Sequence, residues 1–131
     1  MRRMRTIAFV LLLAVGVSLL SGCTSKGAVA TVIYSHVGSL RRGTVRASTE
    51  LWTDSAKANG RQMAEVFARF TIPRPTGAKI AAMNIEKDTA TVTAVWYYSH
   101  NVRPETYIYL LEKTKRKWKI AGCTPITQPL E

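Results

Sequence analysis

The sequence predicts an α+β domain in which N-terminal helices pack on one face of a curved four-stranded antiparallel sheet. Three observations carry this. Apolar residues recur at helical spacing between residues 27 and 70. Pro73 and Pro75 then stop the helices. From Lys79 onward the pattern becomes β-branched and aromatic, cut into four runs by short polar turns. Helices first and consecutive strands afterwards imply segregated layers rather than alternating βα units.

The first helix is expected over 27–41, with Val29, Val32, Ile33, His36, Val37 and Leu40 on one face and Gly43 just past its end. A second is expected from Thr44 to about Lys57, anchored by Leu51 and Trp52, with Asn59-Gly60 as punctuation. A third should run from Arg61 to Phe70, its stripe made of Met63, Val66, Phe67 and Phe70. The strands follow at Lys79–Glu86, Thr89–Ser99, Glu105–Lys113 and Lys117–Pro125, with turns at Lys87-Asp88, Asn101 to Pro104 and the basic stretch around Lys115.

Residues 1–22 do not belong to this fold. Met1-Arg2-Arg3-Met4-Arg5 is a cationic start, and Ile7 to Leu20 is an apolar run too short to span a bilayer as a helix. It ends in Leu20-Ser21-Gly22-Cys23, which resembles the bacterial lipobox. That resemblance implies cleavage between Gly22 and Cys23 and a diacylglycerol on the Cys23 thiol. Two or more acyl chains make membrane attachment effectively permanent. The expected organisation is a signal peptide at 1–22, the lipidated cysteine with a short tether at 23–27, and one domain over 28–131. Thr24 after the cysteine, rather than aspartate, implies by resemblance an outer-membrane location facing the periplasm.

The whole chain carries 19 basic and 8 acidic residues, a formal charge of +11. Removing Arg2, Arg3 and Arg5 with the signal leaves 16 basic against 8 acidic, or +8. Attraction to a polyanion centred on Lys113–Lys119 is one reading of that charge; nucleic acid is excluded by the expected compartment. Of two cysteines, Cys23 is taken by lipid, so Cys123 has no intramolecular partner and is expected to be buried.

The order of elements, the strand Ala90-Thr91-Val92-Thr93-Ala94-Val95, and the closing hairpin from Tyr107-Ile108-Tyr109-Leu110-Leu111-Glu112 to Lys117-Trp118-Lys119-Ile120 resemble the nuclear-transport-factor-two-like superfamily. The resemblance implies a cone-shaped domain whose enzymes use an aspartate or histidine base with a tyrosine or acid inside the cone. This chain offers only His36 with Tyr97 or Tyr109, a constellation for an isomerase or dehydratase. Asp54, Glu50 and His100 are expected at the surface. Two histidines 64 residues apart form no zinc site, and neither a phosphate loop nor a nucleophile elbow occurs. No cofactor or metal is expected, and the chain reads as non-catalytic. His36, Trp96, Tyr97, Tyr98, Tyr107 and Tyr109 are the candidate pocket or docking surface, for an envelope protein partner or a small apolar ligand. A homodimer through the open sheet face is the further option that the resemblance implies.

Overall fold

The computed structural model describes residues 25–99 and 101–126. The expected signal peptide at 1–22, Cys23 and His100 lie outside the described residues. Helix α1 occupies 25–42, followed by α2 (Val45–Thr49), a 3₁₀ turn (Asp54–Ala56) and α3 (Lys57–Arg69). Strands β1 (Gly77–Glu86), β2 (Thr89–Tyr97), β3 (Glu105–Thr114) and β4 (Lys117–Pro125) form one antiparallel meander in the order β1-β2-β3-β4.

Helix α1 forms as its periodicity predicts. Val29, Ile33, His36, Val37 and Leu40 are all buried, while Tyr34 and Arg41 stay outside. Its end is a Schellman motif: Gly43 N donates to Leu40 O at 3.2 Å, and Thr44 N donates to Ser39 O at 3.0 Å. The motif needs a left-handed residue, and Gly43 supplies it at φ 71° without a Cβ penalty. Ser25, Lys26 and Gly27, expected as tether, already lie in α1.

The second helix does not run to Lys57 as the spacing predicts. It stops after one turn, at Thr49, and the chain straightens so that Trp52 meets β4. Thr53 N donates to Ile120 O and Ile120 N donates to Leu51 O, both at 2.8 Å. Two ladder bonds on an otherwise open strand edge outweigh helix continuation here. Asn59-Gly60 is not punctuation either, because both residues lie inside α3. Gly60 is required by contact: a Cβ there would overlap the Trp52 indole. The α3 stripe shifts accordingly. Gly60, Ala64 and Phe67 are buried, while Val66 is exposed and Phe70, at 64% exposure, lies beyond the helix.

Arg74 ties the helix ends together. Its Nε donates to Phe67 O at 3.0 Å, and its Nη atoms reach Ala68 O and Arg41 O at 3.5 Å. A guanidinium at the carbonyl ends of α1 and α3 satisfies orphan acceptors and complements both helix dipoles.

In the sheet, β2 alternates as expected, with Ala90, Val92, Ala94 and Trp96 buried toward the helices. Tyr107, Tyr109 and Leu111 of β3, with Trp118 and Ile120 of β4, share that face. Irregularities between Ile80 and Ala82 in β1, and at Leu110/Leu111 against β4, bend the sheet around the helices. The β3–β4 hairpin closes through Lys115 (φ 49°) and Arg116 (φ 67°). Two left-handed residues make a two-residue turn of the I′ kind, where Asn-Gly is the favoured pair. Holding Lys and Arg there costs about 1–3 kcal/mol each.

Gly60→Ala tests the Trp52 contact by its sign. Helix propensity alone would stabilise by about 1 kcal/mol. Overlap with the indole should instead destabilise by about 1–3 kcal/mol, read as a lower urea midpoint at unchanged m-value. A midpoint at or above wild type would refute the contact.

Candidate functional site

His36 is the centre of the helix–sheet junction. It projects from α1 into a box of aromatic rings. Tyr109 lies edge-on at a centroid distance of 5.5 Å, Trp52 edge-on at 5.6 Å, and Trp96 tilted at 6.1 Å. The imidazole is 0% exposed. Its Nδ1 is 2.8 Å from Tyr109 Oη, so the structure does assemble the His36–Tyr109 pair that the sequence put forward. Tyr97 does not take part: it points to the other sheet face and is 41% exposed.

Burial settles the protonation state of this pair. Desolvation pushes His36 down to about 3 and holds the Tyr109 phenol well above its ordinary value, with Cys123 across the strand pair a smaller contributor. At neutral pH both are therefore uncharged. A neutral imidazole has one donor and one acceptor nitrogen. One is matched by Tyr109, and Nε2 has no partner. The indole Nε1 atoms of Trp52 and Trp96 and the Ser48 hydroxyl are likewise buried without partners. Each such group costs about 1–3 kcal/mol. A base sealed this way cannot reach a bound substrate unless α1 lifts off the sheet.

The remaining predicted aromatics separate by face. Trp96 and Tyr107 stack with centroids 3.8 Å apart and planes at 21°, and Tyr107 donates to Glu105 Oε2 at 3.3 Å. Burial, with the Glu105 charge beside it, pushes the Tyr107 phenol up to about 12. Tyr98 is part-buried, and burial plus the same carboxylate raise it further. Hence His36, Trp96, Tyr107 and Tyr109 are not a docking surface; they fill the interior of the cone. The helix-packed face demanded large apolar volume, and β3 delivers Tyr107 and Tyr109 to it because Ala94 pairs with Tyr107 and Val92 with Tyr109. Cys123 is part-buried opposite Tyr109, its thiol pushed up to about 12 by burial, which disfavours the thiolate at neutral pH.

What remains open is the other sheet face. Thr91, Thr93, Val95 and Tyr97 of β2 lie beside Thr106, Ile108 and Leu110 of β3, with Leu110 51% exposed. These seven positions carry no charge on a strongly basic chain. The sequence signal for this surface was the run of adjacent rings Trp96-Tyr97-Tyr98, whose alternation forces one ring outward; Leu110 was missed. Elsewhere, Asp54 and Glu50 are exposed, as expected. Among the described residues no cluster of three His, Cys, Asp or Glu side chains could hold a metal ion, and no helix is long and apolar enough to cross a membrane.

This architecture has counterparts among solved structures. An NTF2-like protein of unknown function from Silicibacter pomeroyi superposes with a TM-score of 0.61 at 12% identity, covering 82% of this chain and 98% of that one. The fold is the NTF2-like one. A candidate NTF2-like transpeptidase of Campylobacter jejuni shares it at TM-score 0.57 and 15% identity, over 71% of this chain and 96% of that one. A protein of the DUF4783 family from Bacteroides ovatus does so at 0.51 and 12%, over 72% and 94%. At such identities the likeness establishes the NTF2-like fold alone. No protein-family model matches the sequence, and no curated protein matches it. The NTF2-like cone is here filled by its own side chains.

The His36 burial predicts a pH dependence. The unfolded chain takes up a proton as pH falls through about 6.5, but the native chain does so only near 3. Stability should therefore be full above that upper value and fall by up to about 1.4 kcal/mol per pH unit across the window. His36→Gln should flatten this slope, as measured by urea unfolding at several pH values. An unchanged slope would show that another group titrates.

Proposed function

We propose that this protein is a lipid-anchored envelope component that presents a non-catalytic binding or assembly domain to the periplasm. The observation that carries the reading is the contrast between the two sheet faces. The cone interior, where enzymes of this fold class would hold substrate, is closed by Trp96, Tyr107, Tyr109 and His36. The uncharged centre of the opposite face, bordered by Lys79 and by Glu112 with Lys119, leaves Tyr97 and Leu110 in solvent, as a protein-docking surface does.

The anchor rests on the Leu20-Ser21-Gly22-Cys23 motif. Ser25 is already helical, and Cys23 lies two residues before it in the sequence. One residue spans at most about 3.6 Å, so a lipid on Cys23 would hold the domain against the bilayer rather than on a long leash. An outer-membrane location rests, by resemblance, on Thr24 rather than aspartate after the cysteine. Docking through the open face commits the partner to be a protein, either another envelope component or a second copy.

Two measurements test the proposal. Metabolic labelling with an alkyne palmitate should mark the wild-type chain and fail on Cys23→Ser; persistent labelling would place the lipid elsewhere. A photo-crosslinking side chain at position 97 or 110 should give discrete adducts in intact cells, and one at exposed Arg69 on α3 should not. Equal adducts at all three positions, or none at 97 and 110, would overturn docking through this face.

A further inference from the structure

A second feature lies at the β4 edge. There the segment from Trp52 to Lys57 faces the β3–β4 hairpin across a groove of about 600 Å³. One wall is Thr53, Asp54, Ser55 and Lys57; the other is Glu112, Thr114, Lys115, Lys117 and Lys119. We infer that this groove binds a phosphate-bearing ligand of about two negative charges.

Charge sets the class. Four lysines against two carboxylates leave the lining with two positive charges in excess. Those charges are not equivalent. Lys57 Nζ is 3.3 Å from Asp54 Oδ1. Lys119 Nζ donates to Glu50 O at 2.6 Å and sits opposite Glu112 in the strand register. Among the described residues, Lys115, Lys117 and Lys119 all lack a carboxylate within salt-bridge distance, and of the three Lys119 alone is held by a hydrogen-bond acceptor. Lys115 and Lys117 are the two ammonium groups left to meet an anion. Ammonium groups act as point charges toward phosphate, whereas planar carboxylate recognition favours the arginine fork. Hydroxyls of Thr53, Ser55 and Thr114 on the same lining can donate to further phosphate oxygens.

Two further observations support a built site. The walls are fixed relative to each other, because Leu51 and Thr53 hydrogen-bond to the Ile120 backbone; a preformed groove spends little on ordering. The turn also keeps Lys115 and Arg116 at φ 49° and 67°, where Asn-Gly would be the relaxed choice. Basic side chains are thus held at this tip against conformational preference. None of the groove residues is Tyr97 or Leu110, so the inference is independent of docking through the sheet face.

The test is titration of the full chain, reconstituted in phosphatidylcholine vesicles, with pyrophosphate. Saturable binding that weakens as salt rises is expected. Lys117→Gln, and separately Lys115→Asn combined with Arg116→Gly, should each weaken it about tenfold or more. The turn variant should also raise the thermal midpoint, which guards against loss of binding through misfolding. If phosphatidic acid in the vesicles lowers the apparent pyrophosphate affinity more than phosphatidylglycerol does at equal surface charge, the natural phosphate belongs to a lipid headgroup; if the two act equally, the ligand is a soluble phosphate ester. Absence of saturable binding, wild-type affinity in both folded variants, or equal competition by citrate would each overturn the assignment.

Discussion

The indole of Trp52 is the contact on which the rest of this architecture depends. It lies on bare Gly60 backbone, edge-on to His36, in a segment bonded to the Ile120 backbone on both sides. Three layers meet at this one ring. If the chain had stayed helical past Thr49, Trp52 could not reach β4, α3 could not approach so closely, and the box around His36 would lack a wall. The apolar area of one buried tryptophan is therefore also a positional device. It fixes where the helices sit on the sheet, and with them the width of the groove beside the hairpin.

A consequence is that the interior is over-specified and polar at once. His36, Trp52, Trp96 and Ser48 each bring a buried hydrogen-bonding atom that the protein leaves unmatched. Natural cores keep such groups rare, because each carries a desolvation cost. Here the aromatic rings compensate through area and edge-on packing, and the hydrogen bond between His36 and Tyr109 fixes which residue of α1 faces which strand. This is a registry role, the use of buried polar groups that is best attested.

Much of this was readable in the residues. The α1 stripe, the end of that helix at Gly43, and the four strands to within two residues at nearly every boundary follow from spacing, proline and turn chemistry. Elements whose conformation is decided locally were the legible ones. The failures share a cause: partners distant in sequence. Nothing near Trp52 announces a ladder bond to residue 120, and Gly60 reads as a breaker unless the indole above it is known. For Tyr107 and Tyr109 the sequence leaves pocket and docking surface both open, because their face depends on the length of the loop from Tyr98 to Pro104, which sets the register against β2. Within the candidate site, His36 and Tyr109 were identified as residues, but their sealed environment was not. The uncharged centre of the open face was visible only as the necessity that one of three consecutive rings point away.

The meander also dictates an order of events. Each strand of the sheet pairs only with its neighbour in the chain, so hairpins can form as soon as they exist. The helices cannot settle so early. Their closing bonds run from Leu51 and Thr53 to Ile120 in the last strand, a loop whose entropy must be met before the contact rewards it. A chain delivered from its N-terminus would hold the α1 stripe and Trp52 exposed until β4 arrived. The final strand is thus the step that commits the domain, and the interval before it is when the protein would most depend on a chaperone.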